Sequence, residues 1–222
     1  MLEGFFDLLC PRACFRCDRP LTGEAGLCRR CVGAFSPPEV QSVPGLESCA
    51  AGAAYRGEVE GWVRAFKYPT AMAFPDPAPE AILTELMLQG AARMPGPTPD
   101  RIVPVPLHPR RLRGRGFNPA GRLGRSVARR LGVAFDPVAL ERLRDTPSQT
   151  GLDARARRRN VAGAFCRRAG APPLPPRIWL VDDVVTTGAT LACAARALRA
   201  AGASEVSGLC AAATPWSGAD GS

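Results

Sequence analysis

The chain has 222 residues, 46% hydrophobic and 22% charged, which suffices for one large domain or a domain plus a small module and excludes global disorder. No apolar run approaches membrane-spanning length, and the first residues carry acids where a signal peptide would be basic, so a cytoplasmic protein without membrane insertion is expected. The formal charge of +9 is uneven, because residues 101–168 hold 17 arginines and 4 acids, a net of +13, while the remainder sits at −4. A basic middle of this kind suits an anionic partner. Arginine identity itself carries little weight, since Lys67 is the only lysine among 29 basic residues. The clustering is the signal.

Residues 2–9 form a short apolar stretch. Cys14-Phe-Arg-Cys17 and Cys28-Arg-Arg-Cys31 follow, two CxxC knuckles separated by ten residues. At this spacing four thiolates can meet tetrahedrally around Zn²⁺, with Cys10 left as a spare. The neighbouring arginines would offset the negative charge of such a site. A redox pair or a decayed metal site is the other reading, and the absence of a surrounding βαβ pattern disfavours the redox pair. Ser36 to Pro44 reads as a linker. Cys49 to Ala54 is small and apolar. Glu58 to Tyr68 is expected to be a helix with Val59, Trp62, Val63 and Phe66 inward, and Glu80 to Met94 a second one.

Arg101 to His108 is expected to be a strand running into a proline-stiffened loop. The basic loop after it, Arg110 to Asn118, is a second candidate anion site, because arginines bind phosphates bidentately; a solvated charged loop is the alternative. His108, the only histidine, reads as structural. Pro119 to Leu131 should be a helix ending at Gly132. Leu140 begins a strand that passes into turn-rich sequence, residues 153–160 are strongly basic, Val161 to Phe165 is a short strand, and Ala171 to Pro176 is a spacer.

The most informative stretch is Arg177 to Thr190. Ile178 to Val181 reads as a buried strand, with Asp182 and Asp183 where it would end. Thr186, Thr187, Gly188, Ala189 and Thr190 form a hydroxyl-rich turn, and an alanine-rich helix runs from Leu191 towards Gly202. Val206 to Ala213 resumes a strand pattern, so the unit reads β-loop-α-β with parallel strands. Backbone N–H groups and hydroxyls at a helix N-terminus suit a phosphate. The two acids suit sugar hydroxyls or a hard cation such as Mg²⁺. Together they describe a pocket for a sugar 5′-phosphate. No internal repeat, Walker-type loop or dinucleotide fingerprint is present.

The Asp182 to Thr190 stretch resembles the motif by which type I phosphoribosyltransferases bind phosphoribosyl pyrophosphate (PRPP). More of the chain resembles the ComF family of competence-related phosphoribosyltransferase homologues: the paired CxxC, Tyr55-Arg-Gly with Lys67-Tyr68, Val103-Pro-Val-Pro-Leu-His108, Arg115-Gly-Phe-Asn118, and Arg144, Thr146, Gln149, Leu152, Arg157, Asn160 and Phe165. Pro119 stands where that family usually has Gln, and a proline-rich stretch follows Tyr68 in place of a glycine-containing turn. The resemblance implies an α/β, type I phosphoribosyltransferase-like fold, with a mostly parallel sheet flanked by helices. A small zinc-ribbon-like module would occupy residues 1–40 and the main domain residues 46–222. It further implies that Asp182 and Asp183 hold the ribose hydroxyls and that Thr186 to Thr190, Gly188 and Ala189 included, wrap the 5′-phosphate. In an enzyme of this kind Arg113 and Arg115, with Arg110 as a further candidate, would clamp a pyrophosphate carried with Mg²⁺. A role in DNA uptake would follow, with single-stranded DNA or the uptake machinery as partner of residues 101–168. The alternative is a non-catalytic DNA- or partner-binding factor that uses the pocket as a sensor.

Overall fold

A computed structural model describes residues 13–21, 26–39, 42–69, 78–145 and 163–215. The apolar stretch 2–9, Cys10 and the basic run 153–160 lie outside the described residues. The main sheet has five strands, all parallel: β1 (Cys49–Ala54), β2 (Arg101–Pro104), β3 (Ala134–Phe135), β6 (Arg177–Val185) and β7 (Glu205–Ala213), in the order β1-β7-β6-β2-β3. A second, antiparallel pair joins β4 (Leu140–Arg142) to β5 (Phe165–Arg167). The helices are α1 (Arg29–Gly33), α2 (Glu58–Lys67), α3 (Ala78–Ala91), α4 (Pro109–Arg115), α5 (Pro119–Leu131) and α6 (Ala189–Ala200). Among the described residues, no helix is long and apolar enough to cross a membrane.

Central parallel strands are buried on both faces, so they read as apolar runs, and in the middle of β6 the side chains alternate between the two. In β6, Trp179 and Val181 join the core formed with α2, α3 and α5. Ile178 and Leu180 join the core formed with α6 and the β4–β5 pair. The result is a sheet with a layer on each face. Helix α3 lies unusually close to β1: a Cβ on Gly52 would fall 1.8 Å from the Leu86 carbonyl oxygen. Gln89 reinforces the seam by donating from Nε2 to the carbonyls of Phe35 and Gly52, at 2.7 and 2.9 Å.

Four expectations change. The strand expected to stop at Val181 continues to Val185, because its partner β7 pairs with it as far as Ala213. The acids therefore lie within the strand. The basic segment after β2 is a two-turn helix, α4, and not a loop. His108 caps it by accepting from the Arg110 N–H at 3.3 Å, Pro109 opens it, and Gly116 closes it in the left-handed conformation. Helix α3 begins at Ala78 and ends at Ala91, three residues short of Met94. Of the expected strand Val161 to Phe165, the first two residues lie outside the described residues, and the strand that forms starts at Phe165.

Candidate functional site

The site is built where β6 ends and α6 begins. Thr186 is exposed, Thr187 is half-buried, and Gly188 caps the helix at φ +69°. Only glycine takes that backbone conformation without strain, and its bareness is needed twice, since a Cβ there would meet Val43 Cγ2 at 2.6 Å. The linker that carries Val43 is thus packed against the phosphate-loop candidate. Thr187 Oγ1 is enclosed with no hydrogen-bond partner among the described residues. Of the three threonines of this turn, Thr190 is the one that lines the cavity described below.

Strand parity sends the two acids to different surroundings. Asp183, which shares the face of Val181, is 6% exposed. Its Oδ1 accepts from the Val184 N–H at 2.8 Å, and its Oδ2 lies 2.8 Å from Lys67 Nζ at the end of α2. Asp182, on the face of Leu180, is half-buried, and its Oδ1 accepts from the Asp183 N–H at 2.9 Å. Burial first, then the neighbouring Asp183 carboxylate, push the Asp182 pKa up to about 7, against the pull of Lys67 and Arg142. For Lys67, burial works against the charge, but Asp183 and Asp182 outweigh it and the pKa is raised. Both oxygens of Asp183 thus have a partner and its charge is balanced by Lys67, so nothing here calls for the expected Mg²⁺ on this carboxylate as the side chains stand.

A cavity of about 840 Å³ opens over this strand tip. Asp182, Asp183, Thr190 and Lys67 line it from one side, and Arg111, Arg115 and Arg142 are among the cations that face them. Arg115 leans over the Tyr68 ring at 5.0 Å and donates from Nη2 to its hydroxyl at 3.1 Å. Of the two arginines expected to clamp a pyrophosphate, Arg115 lines the cavity, whereas Arg113 is exposed and does not. Arg142 comes from the β4–β5 pair and was not foreseen. It is 8% exposed, stacked 5.3 Å from the Phe165 ring, and burial and then repulsion by Arg111 lower its pKa. A signal existed: Arg142 is two residues from buried Leu140, so a strand must turn both to the same side. The importance of Lys67 was also missed, although it is the sole lysine.

Other arginines of the basic middle are committed locally. On α5, Arg122 pairs with Glu80 and lies over Phe117, and Arg130 sits 2.6 Å from Glu85. Arg125 stacks on Phe135 at 5.1 Å. Phe117 packs against Phe66, with ring centroids 5.5 Å apart. The dense positive charge of the sequence is thus partly cancelled on folding.

Away from the cavity, the sulfurs of Cys14, Cys17, Cys28 and Cys31 all lie within 4.8 Å of one another. Cys17 Sγ and Cys28 Sγ are 3.7 Å apart. A tetrahedron with metal–sulfur bonds of about 2.3 Å has edges of about 3.8 Å, so the donor set fits a structural zinc ion. The Cys28 N–H donates to Cys14 Sγ at 3.3 Å. Backbone donors, Cys28 foremost, overcome burial and bring the Cys14 thiol down to about 6, while burial and the neighbouring thiols push Cys31 up to about 12. Cys14, Leu27, Cys28 and Cys31 share the core of α2 and α3.

No protein-family model matches the chain. Among curated proteins it is 34% identical over 203 residues to the DNA utilization protein YhgH of Escherichia coli K12, covering 91% of this chain and 82% of that one. It is 44% identical over 134 residues to the protein of that name in Salmonella typhi, where the match spans 59% of this chain and only 58% of the relative. A 38% identical match to competence protein F of Haemophilus influenzae covers 109 residues, about half of each chain. With more than four-fifths of the Escherichia coli relative aligned at that identity, and with both the cysteine knuckles and the acidic strand tip in place, the chain belongs to the ComF family.

Proposed function

We propose that this chain is a type I phosphoribosyltransferase-like protein whose cavity binds PRPP or a related sugar phosphate, in the service of DNA uptake. Supporting this reading is one observation above others: the acids near the end of β6 and Thr190, in the first turn of α6, line the same 840 Å³ cavity, together with arginines. Asp182, with one oxygen uncommitted to the backbone, accepts from ribose hydroxyls. The turn from Thr186 to Thr190 takes the 5′-phosphate, with Thr187 Oγ1 supplying a donor that has no other partner. Arg115 and Arg142, with Arg111, hold the pyrophosphate; cations on a leaving pyrophosphate favour its departure from the ribose. Residues 1–40 form the zinc module and residues 46–222 the binding domain. The names of the relatives, DNA utilization protein and competence protein, support the DNA-related role.

A second reading, a binding factor without turnover, draws on the surface beside the cavity. Tyr68 is 65% exposed there, and Arg110 and Arg113 are exposed on α4. An exposed aromatic among arginines is the arrangement by which single-stranded DNA is stacked and held. Titration calorimetry separates the cases. PRPP should bind the wild-type protein saturably, and Thr187→Val and Arg115→Ala should each weaken it by about tenfold, the effect of losing one hydrogen bond to a charged group. Equal affinities in all three proteins would sink the site assignment. Pyrophosphate release when bases, amines or single-stranded DNA are offered supports the enzyme; binding without release supports the sensor.

A further inference from the structure

We propose that Lys67 is the resident counter-ion of the acidic pair, standing on Asp183 in the place that a divalent cation would take. The cavity then receives its anionic ligand without a metal ion on the acids. The inference starts from composition. Of 29 basic residues 28 are arginine, and the single lysine lies at the one buried carboxylate of the cavity. Its Nζ is 2.8 Å from Asp183 Oδ2. The other Asp183 oxygen accepts from the Val184 N–H, so each oxygen already has a partner and the negative charge already has its counter-charge. Helix α2 fixes the lysine: it is the last helical residue, and the Tyr68 N–H after it bonds back to the Arg64 carbonyl at 2.9 Å.

Chemistry explains the choice of residue. An ammonium is a compact point charge that can approach one oxygen closely, whereas a guanidinium is a wide planar fork suited to two. Arginine is used where the cavity faces a ligand, at positions 111, 115 and 142, and lysine where a single enclosed carboxylate must be neutralised. Without Lys67, the Asp183 carboxylate would be left uncompensated in a poorly solvated site, within the field of the neighbouring Asp182. Oxygen ligands of that kind draw in a hard cation. One positive charge on the protein thus replaces two on an ion.

The test uses manganese alone, so it is independent of whether a sugar phosphate is the ligand. Mn²⁺ is titrated into the zinc-loaded protein and followed by electron paramagnetic resonance. Wild type and Asp183→Asn should give the same weak background. Lys67→Gln should gain one site, at least about tenfold tighter than that background, and Lys67→Gln with Asp183→Asn should lose it again. If Lys67→Gln folds only when Mn²⁺ is present, the same conclusion holds, with a melting temperature that rises with the metal. A wild-type Mn²⁺ site abolished by Asp183→Asn would overturn the proposal. So would a Lys67→Gln protein that binds Mn²⁺ no better than wild type, or one that millimolar Mn²⁺ cannot fold.

Discussion

Asp182 and Asp183 are adjacent in sequence but stand on opposite faces of β6, and each keeps different company. Asp183 has Lys67. Asp182 has burial and a negative neighbour, and its pKa rises from 3.8 to about 7. The sign of the consequence is definite. Between those two values the folded protein holds a proton that the unfolded chain has released, so this residue makes stability fall as pH rises through the window from 3.8 to about 7, after which its effect is constant. Asp182→Asn should remove that part of the slope and leave the variant more stable at pH 8. The gain should be on the order of 1 kcal/mol, since solvent screens part of the interaction at this half-buried site. Urea melts of both proteins from pH 4 to pH 8 check it; parallel stability curves would contradict it.

Among the elements, the seam between β1 and α3 is the least forgiving. Gly52→Ala puts a methyl group 1.8 Å from the Leu86 carbonyl oxygen, backbone against backbone, and should cost ~3 kcal/mol or more. Gly61→Ala, within α2 and with nothing inside 4 Å of the added carbon, should instead stabilise by roughly 0.5–1 kcal/mol through helix propensity. Thermal melts of the two variants should therefore move in opposite directions. The same elements explain what could be read from the sequence. Helix α5 was legible from Pro119 to Gly132 because Leu123 and Val127 keep helical period and the left-handed glycine ends it. The β6–α6–β7 unit was legible because apolar runs bracket a polar turn. Helix α4 was not: seven residues with five charged or glycine positions show no apolar period, and its signals are the cap at His108 and Pro109. The extent of β6 was hidden as well. Carboxylates at 182 and 183 look like a strand's end, and only pairing with β7, residues away in sequence, carries the strand past them. Arg113 and Arg115 look equivalent in sequence, yet on a helix they point in different directions, and only Arg115 reaches the cavity.

At the level of the whole molecule, the cysteine cluster and the cavity share one core. Cys14, Cys28 and Cys31 pack with Val59, Val63 and Phe66 of α2, the helix that ends in Lys67. Arg16 reaches Glu58 at 3.5 Å and Phe35 meets Trp62 edge to face. A zinc ion on the four thiolates should therefore stabilise more than its own loop. Metal analysis should find one zinc per chain, and chelation or Cys28→Ser should lower the melting temperature and weaken ligand binding in the cavity together. Loss of zinc with the cavity unaffected would separate the two. A sugar phosphate at the junction of β6 and α6 is tested most directly by a crystal structure of the protein soaked with PRPP. The expected result is a 5′-phosphate within hydrogen-bond distance of Thr187 Oγ1 and the N–H groups that open α6, with the ribose beside Asp182. A phosphate held by the α4 arginines with the threonine turn left bare would contradict it.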